Sequence, residues 1–171
     1  MQEFLDRYAS LSNKNNPIII YLGKKVSKQI FNQCIDKKKL DKLMDNLKSI
    51  ENMKLKITYS NDITEYRNDN HSVIKNGNEL NYLIYNIIDK HITNQMYIVK
   101  YNIQNNEYII PSFKEYEIIE KYDVMQISLG NVLDIRVCDY QKHYTVSIIL
   151  KKPNNTNIIT NLLEKLVINQ D

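Results

Sequence analysis

The chain has 171 residues, 43% of them hydrophobic and 25% charged, which suits one folded domain over 1–171 and excludes a disordered polypeptide. A formal charge of +3 excludes the strong basic excess of a protein that coats nucleic acid without specificity, while leaving room for a local basic surface. The start MQEFLDRYASLSNKNN has no signal-peptide core, and no apolar run approaches the about 20 residues of a membrane span, so the expected location is cytoplasmic, nuclear or virion-internal, not secreted.

Phe4, Leu5, Tyr8 and Leu11 lie at helical spacing and predict a short helix that ends at SNKNN. PIIIYLG then reads as a compact strand closed by Gly23. Over 27–50, Ile30, Phe31, Cys34 and Ile35, then Leu40, Leu43, Met44 and Leu47, recur at three and four, predicting one or two amphipathic helices with Ser27 as N-cap and lysine-rich outer faces. MKLKITYS, NDITEYRN and HSVIKNG read as three short strands. Over 79–91, Leu80, Leu83, Ile84, Ile87 and Ile88 predict a further helix capped by Asn78, serving as a plug or an outer brace.

The second half changes character. MYIVKYNIQ, EYIIPSF, YEIIEKYDVMQISL, VLDIRVCDY and HYTVSIILKK follow one another, separated by NNE, Gly130-Asn131 and a turn around Gln141, and predict an antiparallel sheet or closed barrel. A last helix over 157–168 carries Ile158, Ile159, Leu162, Leu163 and Leu166 on one side. The fold class is therefore α+β, an antiparallel β-barrel with packing helices.

Motifs for chemistry are scarce. Three glycines leave no phosphate-binding loop, and His71, His91 and His143 are scattered, which argues against zinc and for structural histidines. Cys34 and Cys138 have no metal-type spacing and fit thiols of a reducing compartment. KKVSKQ and DKKKLDKL gather cations that read as a solvated helix face or as an RNA- or partner-binding patch. Tyr97, Lys100 and Tyr101, and Lys142 and Tyr144, interleave aromatic and basic residues as base stacking would require, although tyrosine is equally an ordinary strand residue. Thirteen Tyr, no Trp and many Asn, Ile and Lys suggest an A- and T-rich coding sequence of the kind found in large DNA viruses and protists.

Taken in order, these segments resemble the triphosphate tunnel metalloenzymes, which include the RNA triphosphatases of mRNA capping and the CYTH phosphohydrolases. In that family, glutamates from the first and last strands of an antiparallel tunnel hold a divalent metal, and inward Arg and Lys grip the triphosphate. PIIIYLGKKVSKQIFNQCI is similar to the opening strand, Glu-x-Glu-Ile-Arg-x-Gly, and LDIRVCDYQKHYTVSIILKKP to the closing hairpin that ends in Glu-x-Glu-x-Glu. The resemblance implies Arg67, Lys75, Lys100, Lys121, Arg136 and Lys151 as candidate inward cations that bind an anion or RNA.

The chain departs from the pattern at the metal. Pro17 and Ile19 stand at the first glutamate places, Tyr21 at the arginine place, and Thr145, Ser147 and Ile149 at the last three carboxylate places. Hard divalent cations need oxygen ligands, preferably anionic, and a one-residue slip offers only Ile18, Ile20 and Leu22 with Val146, Ile148 and Leu150. The expectation is a degenerate tunnel with no catalytic residue, metal or cofactor: a binding or scaffolding module tied to viral mRNA capping or transcription, with RNA or a protein of such a complex as partner. Two alternatives stand beside it: a metal-dependent RNA or nucleotide triphosphatase using Asp134, Glu115, Glu117 or Glu120, and an unrelated structural barrel.

Overall fold

The computed structural model describes residues 1–50, 55–105, 116–151 and 156–167. Helix α1 (Gln2–Tyr8) runs into a 3-10 turn at Ala9–Leu11 and leads to β1 (Ile18–Leu22). A small hairpin, β2 (Lys24–Lys25) and β3 (Phe31–Asn32), is followed by β4 (Cys34–Ile35) and α2 (Lys37–Lys48). The long strands follow: β5 (Leu55–Asn68), β6 (His71–Asn76), β7 (Glu79–Ile92), β8 (Met96–Asn105), β9 (Ile118–Leu129), β10 (Leu133–Asp139) and β11 (Tyr144–Leu150). Helix α3 (Thr156–Val167) is the last described element.

Eight antiparallel strands close a barrel in the order β1-β8-β7-β6-β5-β9-β10-β11, and β11 returns to β1. At that seam Ile19 lies opposite Ile149 and Tyr21 opposite Ser147. Strand β4 pairs with Thr145 and Tyr144 and extends the same edge past β1. Closure matters energetically because it leaves these strands no ladder edge to solvate.

Alternation along each strand divides the side chains between two cores. The outward residues Ile18, Ile20, Ile98, Ile127, Leu133, Ile135, Val146 and Ile148 are buried against Phe4 and Leu5 of α1, Leu40, Leu43 and Leu47 of α2, and Leu162, Leu163 and Leu166 of α3. The largest core therefore lies outside the barrel, under the three helices. The inward residues are free to form a site.

Three sequence expectations change. Residues 27–50 contain one helix, not a continuous helical run, because Asp36 is the cap: its carboxylate accepts from the Lys39 amide at 2.8 Å. Ser27 instead tightens the hairpin turn, its Oγ accepting from the amides of Gln29 and Ile30 at 3.4 and 3.3 Å. Residues 79–92 form strand β7, not a helix. Both faces of β7 carry apolar residues, rich in Ile and Tyr, and the register shifts between Ile87 and Asp89, so two period-2 patterns joined at a bulge imitate a helical spacing. Asn78 sits with Gly77, at φ +59°, in the two-residue turn between Asn76 and Glu79. Finally, ITYS and NDITEYRN are one strand, β5, with an irregularity between Ser60 and Ile63. EYIIPSF, Met53, Lys54 and Glu115 lie outside the described residues.

Candidate functional site

The barrel holds a cavity of about 460 Å³ whose walls come from the inward faces of its strands, from Gln33 and from Cys34 of β4, and from Asp69, Asn70, Tyr140 and His143 in the connecting turns. Its two halves differ in chemistry. On the side of the β1–β11 seam, Ile19, Val99 and Tyr101 are buried together, with Tyr21, Tyr85, Tyr97, Ile103 and Ile149 packed against them. The Tyr21 and Tyr101 hydroxyls lie 3.4 Å apart, Tyr21 stacks on Tyr97 at 6.1 Å, and Tyr85 meets Tyr101 edge-on at 5.7 Å. Burial, reinforced by Tyr101, pushes the Tyr21 phenol well above its ordinary value, and burial pushes Tyr85 up to about 12. These phenols are neutral hydrogen-bonding groups at any physiological pH.

The opposite side, built by β5, β6, β9 and β10, is ionic. Glu65 is its hub, accepting from Ser72 Oγ at 2.6 Å and from the Tyr122 hydroxyl at 2.7 Å. Arg136 Nη2 donates to that same Tyr122 oxygen at 3.3 Å and its guanidinium lies 5.8 Å from the ring centroid. Arg67 donates from Nη2 to Glu120, and its Nε is 3.9 Å from Glu65 Oε1. Burial by itself would depress the Arg67 guanidinium, but Glu65 and Glu120 together outweigh it and hold the pKa up. Burial also pushes the Cys138 thiol up, which disfavours its thiolate.

Closure of the barrel sorts the six predicted cations. Arg67 and Arg136 face the cavity. Lys151 follows β11 and continues the alternation of inward Thr145, Ser147 and Ile149 beyond the cavity lining, with its Nζ 2.6 Å from Asp134. Lys75, Lys100 and Lys121 do not face the interior. Lys75 and Lys121 lie one residue off the inward positions Ile74, Glu120 and Tyr122, and strand alternation turns both to the exposed outer surface. Lys100 alternates in the same way with inward Val99 and Tyr101. It is 2% exposed, and its ammonium donates to the carbonyls of Leu11 (3.2 Å) and Asn16, clamping the segment that leads into β1. Sequence reasoning missed Glu65, Tyr122 and Ser72. The available signal was the same-face spacing of Glu65 with Arg67 and of Glu120 with Tyr122.

The metal ligands of a triphosphate tunnel do not fit this interior. Ile19, Tyr21, Thr145, Ser147 and Ile149 line the cavity at the seam and supply no carboxylate, and Ile19, Tyr21 and Ile149 pack there with Val99 and Tyr101. Glu65 and Glu120 are already committed to Arg67, Tyr122 and Ser72. Among the described residues no group of three or more His, Cys, Asp or Glu could hold a metal ion, and no helix is long and apolar enough to cross a membrane.

No protein-family profile and no curated protein matches the sequence. Solved structures do match the fold. The S. pombe Pct1 RNA triphosphatase, in complex with the Spt5 CTD, superposes with a TM-score of 0.60 at 12% identity over 96% of this chain and 81% of that one. The RNA triphosphatase domain of the trifunctional mimivirus mRNA capping enzyme gives 0.61 at 11% identity, covering 99% of this chain and 96% of that one. The PH1012 protein from Pyrococcus horikoshii OT3 gives 0.50 at 16% identity over 88% and 89% of the two chains. The chain thus has the triphosphate tunnel fold, an antiparallel barrel with packing helices, at identities that establish the fold and leave the chemistry to its own residues.

Proposed function

We propose that this chain is a non-catalytic binding or scaffolding module, one tunnel-like unit over 1–171 whose metal centre has been replaced by packed apolar side chains. The observation that carries the reading is the β1–β11 seam, where Ile19 lies opposite Ile149 and Tyr21 opposite Ser147, and where Ile19, Tyr21 and Ile149 pack with Val99 and Tyr101. The rest of the interior supports it, because the inward charges are largely balanced: Arg67 with Glu120 and Glu65, and Lys151 with Asp134, while Arg136 reaches Glu65 only through Tyr122. The unused capacity is the Nε donor of Arg67 and of Arg136, neither of which has a hydrogen-bond partner among the described residues. Any anion or RNA contact inside the cavity would fall to Arg67 and Arg136.

The setting we propose is viral mRNA capping or transcription, in the cytosol, nucleus or virion interior, with RNA or a protein of such a complex as partner. The likeness to capping triphosphatases, one of them in complex with the Spt5 CTD, motivates it. The test is phosphate release from triphosphate-ended RNA and from nucleoside triphosphates with magnesium or manganese. No turnover is expected. Turnover abolished by Glu65→Gln or Glu120→Gln would instead establish the second reading, a triphosphatase with displaced carboxylates, which rests on those two glutamates lying paired across β5 and β9 and facing the cavity.

A further inference from the structure

The positive charge of the chain is concentrated in one segment. Residues 24–48 hold eight lysines and three aspartates, whereas the chain as a whole has 23 basic and 20 acidic residues, so everything outside this segment is net acidic. The three aspartates are occupied: Asp36 caps α2, Asp41 pairs with Lys37 at 3.2 Å and Asp45 with Lys48 at 3.2 Å. Lys24, Lys28 and Lys38 are exposed and have no acidic partner among the described residues.

Two β-branched residues stand exposed among these lysines. Val26 is 64% and Ile30 59% exposed at the tip of the β2–β3 hairpin. The hairpin holds them there. The Val26 and Ser27 amides both donate to the Ile30 carbonyl, at 2.9 and 3.2 Å, and Ser27 Oγ closes the turn. Its base is bonded to the β7–β8 turn, Gly23 N to Gln95 O at 3.0 Å and Lys25 N to Asn94 O at 2.8 Å, and Phe31 packs on Tyr97 at 5.9 Å. Gly23 permits the close approach of β3 to the start of the hairpin, since a Cβ there would lie 2.0 Å from the Asn32 carbonyl oxygen. Apolar side chains fixed in water by a braced turn give up little conformational entropy when they are covered. The lysines at the start of α2 follow after residues 33–36, at most about 18 Å along the chain from Asn32, within reach of one extended partner segment.

We propose that the β2–β3 hairpin and the first turn of α2 form a docking surface for an acidic protein segment that carries aliphatic anchors. The anchors would cover Val26 and Ile30, and the acids would meet Lys24, Lys28 and Lys38. Charge complementarity sets the sign of the partner, and composition sets its class. Residues 24–48 contain no arginine and no tyrosine, and their one aromatic, Phe31, is engaged with Tyr97. Single-stranded nucleic acid is held through guanidinium forks and free aromatic faces; this surface has no arginine and its rings are engaged, Phe31 with Tyr97 and Tyr144 with the Lys37 ammonium at 5.9 Å, while aliphatic tips between ammonium groups match an acidic, apolar polypeptide. The surface is independent of what the cavity binds.

The test uses the full chain and fluorescence anisotropy with two defined probes: a labelled synthetic peptide of alternating glutamate and leucine, and a labelled oligouridylate of similar length. The peptide should bind, more tightly at low than at high salt. The double charge reversal Lys24→Glu with Lys28→Glu should weaken it about tenfold, and Val26→Ser with Ile30→Ser should weaken it by a similar factor while the salt dependence is kept. These residues are exposed, so circular dichroism and melting should be unchanged, and Arg136→Gln in the cavity should not alter peptide binding. The proposal is overturned if the peptide fails to bind at about 1 mM, if either double variant binds it like the parent, or if oligouridylate binds this surface more tightly than the peptide.

Discussion

Replacing Glu65 with glutamine tests the ionic half of the barrel most directly. The side chain is 15% exposed and accepts from two hydroxyls, Ser72 and Tyr122, while offsetting the charge of Arg67. Glutamine is nearly the same size, so packing is preserved and only charge and acceptor capacity change. One hydroxyl loses a charged acceptor, worth about 1.5–3 kcal/mol, and Arg67 and Arg136 lose a shared counter-charge. Complete removal of one partner from a buried pair costs about 3–5 kcal/mol. Here the second contribution is smaller, because Arg67 is 41% exposed and keeps Glu120. The sum is about 3 kcal/mol, and for a chain of this size that lowers Tm by about 9 °C. Thermal and urea denaturation followed by far-ultraviolet circular dichroism measure it, with Lys75→Gln on the exposed outer face as a control expected within about 0.5 kcal/mol. Because Tyr122 donates directly to Glu65, the Tyr122→Phe and Glu65→Gln effects should be non-additive by about 1 kcal/mol. A Glu65→Gln protein as stable as the parent, or strict additivity with Tyr122→Phe, refutes the hub.

Thirteen tyrosines and no tryptophan make ultraviolet titration informative. Tyr21, Tyr85 and Tyr122 have folded pKa values above the ordinary 10.0, all by burial first, so their contribution is intact below pH 10 and is lost as pH rises through the folded values, about 12 for Tyr85. Part of the phenol absorbance should resist ionisation until the protein unfolds; uniform ionisation in a folded protein contradicts the buried cluster. Asp89 has the opposite sign: the Tyr8 hydrogen bond depresses its pKa below the ordinary 3.8, so its contribution is present above that value and is lost as pH falls below it. Asp89→Asn should therefore flatten the acid limb of Tm against pH, and an unchanged limb argues against the contact. Lys100→Met should remove the ammonium donor from the Leu11 carbonyl and from that of Asn16, which keeps the Asn13 amide and Ser12 Oγ, cost about 2 kcal/mol and accelerate amide exchange near the start of β1, whereas parent-like exchange there discounts the clamp.

Several strands were legible because alternation is a local property of the chain. IIIYL, LDIRVCD and YTVSIIL each show which residues share a face whatever they later pair with, so Ile19, Tyr21, Arg136, Thr145, Ser147 and Ile149 could be assigned to the inside in advance. β7 was not legible in this way. Apolar side chains are useful on both of its faces, and the shift at Ile87 to Asp89 breaks the period that would have revealed a strand. Lys75, Lys100 and Lys121 fall on the outer face for a different reason: alternation along their strands gives the inward face to their neighbours Ile74, Val99, Tyr101, Glu120 and Tyr122.

The loss of carboxylates at the β1–β11 seam was determined by the sequence alone, since neither face of either strand contains one, and no packing can create an anionic ligand from Ile, Tyr, Thr and Ser. What occupies the interior instead was decided by tertiary structure. Tyr122 reaches Glu65 across 57 residues of chain, Arg67 reaches Glu120 across 53, and Ser72 and Arg136 join them from two further strands. Charge compensation depends on which side chains closure of the barrel brings within hydrogen-bonding distance, and alternation along one strand carries no information about the strand across the tunnel.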